Sequence, residues 1–212
     1  EKWEILFEKY HIREEIRRNG RFLITADQIR QVKEPRLMTK FDTRESRPEV
    51  FGSRVGILPV TRGSYVLGEF DLYQDFPETI GGVKLAAAKI PDYFETIDVR
   101  DIRSEAAAIH VMGIAGILDD FLGEERMAQT VSGRMGSGSF EFQVKGNGDR
   151  CAYTIQVRNS QVEIDGGFEG KTSFALIEGK NVVHSNFLIR QLYYPYRLWQ
   201  ERIRKNVRPV FM

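Results

Sequence analysis

Four charged residues interrupt two runs that otherwise read as buried strands in "QVEIDGGFEGKTSFALIEGKNVV", residues 161–183. Glu163 and Asp165 stand in the first run, Glu178 and Lys180 at the end of the second. Unpartnered charges in a core are costly, so these four form a satisfied network or serve something held between them. Strand side chains alternate, so Glu163 and Asp165 share a face, as do Glu178 and Lys180, about 7 Å apart. A hairpin-like connection over 166–172 would bring Asp165 near Glu178. Close carboxylates repel unless a cation lies between them, and a hard ion such as Mg²⁺ suits an oxygen-rich site. Lys180 would then orient a water and offset developing charge, an arrangement for metal-assisted phosphodiester hydrolysis. The bland alternative is a buried Glu–Lys ion pair beside a turn aspartate.

The elements that must position these residues are legible as patterns. Residues 104–123 predict a mostly buried helix, opened by Ser104 as N-cap. Three strands follow at 139–145, 152–165 and 173–180, with Asn147-Gly148 as a hairpin turn. Residues 185–205 predict a long helix kinked at Pro195, and "VRPVFM" a last strand that reads as a trimmed end. Upstream, residues 2–20 predict one amphipathic helix with a glycine stop. Short β-branched and aromatic runs between Phe22 and Tyr73 predict a mostly β amino-terminal region. The proline- and glycine-rich stretch 74–95 marks a boundary, giving a region 1–90 and a second region 91–212.

Asp165 followed by Glu178-Gly179-Lys180 on the next strand resembles the PD-(D/E)XK nuclease superfamily. So does the order helix, three strands, helix, strand. "IDGGFEG", "ALIEGKN" and "RQLYYPYRLW" further resemble a type II restriction endonuclease family, as do "PRLMTKFD" and "ILPVTRG". The resemblance implies an α/β (α+β) fold whose restriction-endonuclease-like core is a mixed central sheet flanked by helices. It implies a Mg²⁺-dependent endonuclease cutting double-stranded DNA at a specific sequence, with a homodimer as the expected assembly. Asp165, Glu178 and the Gly179 carbonyl would hold metal, Lys180 would position the attacking water, and Glu105 would approach from the preceding helix. One departure is Gly166 after the aspartate, with no proline before it. Another is Pro195, which stands where some such nucleases carry a tyrosine four residues after a supporting glutamine, here Gln191.

"DGGFEGKT", 165–172, nearly reads as a phosphate-cradling G-x-x-x-x-G-K-[ST] loop. Asp165 replaces its first glycine, however, and the following run reads as strand rather than helix. DNA contacts are expected from Arg134 and Ser137 in the glycine-rich "TVSGRMGSGSFEF", read as a loop, and from Arg36 and Lys40 in "RLMTKFDTRESR". His110 is expected to pack and Cys151 to be semi-buried.

The apolar share of 42% and charged share of 29% fit a globular chain. A net charge of +1 neither demands nor excludes nucleic acid. One cysteine rules out an internal disulfide framework, and three scattered histidines with it make no structural zinc site. No run approaches the ~18 apolar residues of a membrane span, so a cytoplasmic location is expected. Alternatives are a repair or recombination nuclease of the same fold, a DNA-binding module without hydrolysis, and a nucleotide hydrolase using "DGGFEGKT".

Overall fold

A computed structural model describes residues 2–77 and 90–212. Helices α1 (Lys2–Lys9) and α2 (Ile12–Asn19) lead into strand β1 (Arg21–Thr25) and short helices α3 (Ala26–Arg30) and α4 (Pro35–Met38). Strands β2 (Gly56–Thr61), β3 (Ser64–Gly68) and β4 (Tyr73–Asp75) follow. Next come α5 (Glu105–Ile114), α6 (Ile117–Leu122), β5 (Ala128–Gly136), β6 (Ser139–Lys145) and β7 (Ala152–Arg158). The chain continues through β8 (Gln161–Glu169), β9 (Ser173–Glu178), β10 (Asn186–Leu188), α7 (Arg190–Gln200) and β11 (Asn206–Phe211). The class is α+β. No helix among the described residues is long and apolar enough to cross a membrane.

Two compact units form. The first gathers residues 1–76, 136–161 and 184–190; the second gathers 77–135, 162–183 and 191–212. In the first, β1, β3 and β2 make an antiparallel sheet, β4 pairs with β10, and β6 with β7. Its core joins Trp3, Leu6, Phe7 and Ile12 of the helices to Ile24, Phe51 and Leu67. The Trp3 ring meets the Phe51 ring edge-on at 5.0 Å, and its indole N–H donates to the Met38 carbonyl.

The second unit is built on a four-stranded sheet in the order β11-β9-β8-β5, with β8 antiparallel and β11 parallel to β9. Ile109, Met112, Leu118 and Leu122 of α5 and α6 pack on Phe168, Ala175 and Ile177, covering one face. On the other face, Phe174 meets Trp199 of α7 at 5.1 Å. Helix α5 approaches β8 closely at Gly113, where a Cβ would stand 2.7 Å from the Phe168 ring. Order along this unit is helices, β5, β8, β9, helix, strand.

Several expected elements are redrawn. The helix over 2–20 is two helices, broken where His11 takes φ 49. "RFLITADQI" is strand only to Thr25, whose side chain and Gln28 form a capping box that starts α3. "RLMTKFD" holds helix α4 rather than a strand, so the amino-terminal region is less β-rich than expected. The helix over 104–123 opens on Ser104, which accepts from the Ala107 N–H, but divides at Gly116, φ 68. The run 152–165 is two strands, because Asn159 turns the chain with φ 53. The glycine-rich 130–142 contains most of β5, not a loop. The long helix is the shorter α7, with Pro195 inside it. Cys151 is exposed. Most of the boundary stretch 74–95, residues 78–89, lies outside the described residues.

Candidate active site

Asp165 and Glu178 lie one step beyond the last registered pair of β8 and β9, Gly166 opposite Ile177. Directly opposite residues put their side chains on the same face, here the face that α7 covers. The Gly179 N–H donates to Asp165 Oδ2 at 3.0 Å, tying the end of β9 to the β8 carboxylate. From the other side Met212, just past β11, fixes the end of β9. The Met212 N–H donates to the Glu178 carbonyl and the Lys180 N–H to the Met212 carbonyl, both at 2.9 Å.

Glu178 is only 6% exposed. Burial of a carboxylate demands compensation, and two donors meet on its Oε1. Lys180 Nζ lies 2.5 Å away and Gln191 Nε2, from the first turn of α7, 2.6 Å away. The Gln191 Oε1 is buried without a hydrogen-bond partner. Because Nε2 must face the carboxylate, the amide cannot flip to relieve it. Glu105 arrives from the start of α5. Its Cβ lies 3.7 Å from where a Gly179 Cβ would stand, and its carboxylate accepts from the Asn181 N–H at 3.2 Å. Asn181 in turn donates its side-chain amide to the Arg103 carbonyl.

Among the described residues no three His, Cys, Asp or Glu side chains cluster tightly enough to hold an ion. Mg²⁺ does not require three, because it keeps several waters and binds through one or two carboxylates. Asp165, Glu178 and the Gly179 carbonyl form an all-oxygen donor set of that kind. The residues present therefore fit a magnesium ion.

The turn that aligns the two strands is held by Glu124, a residue that sequence reasoning missed. Its carboxylate accepts from the N–H groups of Lys171, Thr172 and Ser173 and from both hydroxyls. These donors hold the Glu124 carboxyl down at about 2. The same N–H groups are those a phosphate-cradling loop would offer, and β9, not a helix, follows them. That removes the nucleotide-loop reading of "DGGFEGKT". No sequence signal links Glu124 to a turn almost fifty residues later, whereas Gln191 stands out as a polar residue on an aromatic helix.

The other expected residues are not part of this cluster. Glu163 pairs with Arg134 at 3.2 Å across exposed surface. Ser137 is 1% exposed, and its hydroxyl donates to the Gly138 carbonyl and accepts from the Ser160 N–H. Being turned inward, it is withdrawn from the expected DNA contacts. Arg36 and Lys40 are exposed in the first unit. His110 is exposed rather than packed and lines a cavity of about 970 Å³ in the second unit.

No curated protein and no solved structure matches the chain. Residues 1–67 match a family described as Domain of unknown function (DUF6996). Residues 68–212, which carry the whole cluster from Glu105 to Gln191, match the one described as Domain of unknown function (DUF6997), and the chain belongs to that family.

Proposed function

We propose that the protein is a magnesium-dependent DNA endonuclease of the restriction-endonuclease-like fold, cutting double-stranded DNA at a specific sequence as type II restriction enzymes do. The observation that carries this reading is the meeting of Asp165, Glu178, Gly179 and Lys180 where the pairing of β8 with β9 stops, with Glu105 beside them. The element order of the second unit supports it as well. Asp165, Glu178 and the Gly179 carbonyl would hold a divalent ion, which when bound would supply Lewis acidity and charge neutralisation at a scissile phosphate. Lys180 orients the attacking water and offsets charge on the phosphate. Gln191 shares with Lys180 the task of holding Glu178. Water adds to phosphorus, the P–O3′ bond breaks, and a proton from that water ends on O3′, leaving a 3′-hydroxyl and a 5′-phosphate.

Incubation of mixed plasmid and phage DNA with Mg²⁺ tests this. Discrete bands that disappear with EDTA are expected. DNA left intact by the folded protein across such substrates overturns the reading, and salt-sensitive binding without cutting would mark a DNA-binding module.

A further inference from the structure

Residues 17–21 read "RRNGR" where α2 ends and β1 begins, and Arg17, Arg18 and Arg21 are all exposed. A fourth arginine joins them from the β6–β7 connection. The Arg150 guanidinium stands 2.7–3.1 Å from where a Gly20 Cβ would lie. Gly20 also has φ 78, so both the turn and the close approach require glycine. Beside this cluster a groove of about 740 Å³ runs between the β1-β3-β2 sheet and β7. Asn19, Arg21, Arg150 and Gln156 line it, Leu23 and Val66 contribute apolar floor, and no carboxylate lines it among the described residues. Arg21 is braced at the wall by its Nη1 bond to the Thr154 carbonyl at 3.0 Å. Glu15, on the same helix, is engaged by the Asn19 amide.

A helix C-terminus favours cations and explains Arg17 and Arg18. It does not explain Arg21 on a strand or Arg150 across a turn, where like charges repel. We infer that this groove carries the phosphate backbone of a nucleic-acid strand. The inference rests on the reading of the protein as acting on DNA, and it names the surface of the first unit that grips it.

Fluorescence anisotropy of the full chain in EDTA, on a labelled 30-base-pair duplex and its single strand, over about 50 to 200 mM salt tests the inference. Arg150→Gln and, on the open helix surface, Arg18→Gln should each flatten the plot of log affinity against log salt. The expected change is about 0.9 in slope on duplex, or about 0.7 on single strand, and the tighter of the two identifies the strand carried. Arg30→Gln, an exposed arginine paired with Asp27 on α3, should leave the slope unchanged. Unchanged slopes in Arg150→Gln and Arg18→Gln, an equal change in Arg30→Gln, or no binding by the wild type would each overturn it. Mg²⁺-dependent cutting by the same proteins is read separately, so the groove can fail while the nuclease stands.

Discussion

Glu178 is the residue on which the site balances. A buried carboxylate keeps its charge only while donors meet it, and Lys180 and Gln191 supply two on one oxygen. Removing Gln191 takes away one of the two donors that meet on Glu178 Oε1. Gln191→Ala should lose about 1.5–3 kcal/mol, the usual worth of a hydrogen bond to a charged group, as read by urea unfolding. An unchanged midpoint would mean that the contact contributes nothing. Lys180→Ala is a harsher change, because breaking a buried pair costs about 3–5 kcal/mol. A loss of activity in that variant would therefore mix chemistry with folding. At this scale the sequence was informative: charges inside apolar runs announced themselves. The Gln191 partnership is obscured in the sequence because Pro195 takes the tyrosine position of the pattern.

Among the elements, the β8–β9 pair sets the spacing of the two carboxylates, and Glu124 holds its turn. Hydrogen bonds from the Ser173 and Thr172 hydroxyls hold the Glu124 carboxyl down at about 2, below its ordinary 4.5. Its folded value is depressed, so the unfolded chain binds the proton more readily. The stability it contributes is complete above about pH 4.5 and drains away as pH falls toward 2. Glu124→Gln should be less stable than wild type at neutral pH, and the gap should close across that acid window. Thermal melts from pH 7 to 2.5 read this directly; parallel curves would contradict it. Element types were legible where apolar periodicity was strong, as in β8, β9 and α5. Boundaries were not, for separate reasons. Asn159 breaks 152–165 through turn chemistry that "RNSQ" carries visibly. His11 breaks the first helix with no such signal. Strand β5 hid because an exposed strand can be rich in glycine and serine.

At the scale of the whole molecule, each compact unit is assembled from three separate segments. A pattern read along the chain offers a boundary such as 74–95 but cannot show that the β6–β7 hairpin joins the amino-terminal residues. That pairing is long-range, and long-range contacts leave no local periodicity. The cluster in the second unit nevertheless has a molecular consequence. A ligand that binds only the folded chain stabilises it, by about 2.7 kcal/mol at one hundred times its Kd. Mg²⁺ should raise the wild-type Tm, and Asp165→Asn should abolish most of that rise.

The same variant gives the most direct test of the proposed site. Asparagine keeps an acceptor for the Gly179 N–H and removes only the charge offered to a metal. Single-turnover cleavage of duplex DNA in Mg²⁺ should slow by at least about 100-fold in Asp165→Asn, with circular dichroism unchanged. Cutting at the wild-type rate by the folded variant would contradict a metal-dependent site at Asp165 and Glu178, leaving their charges as architecture.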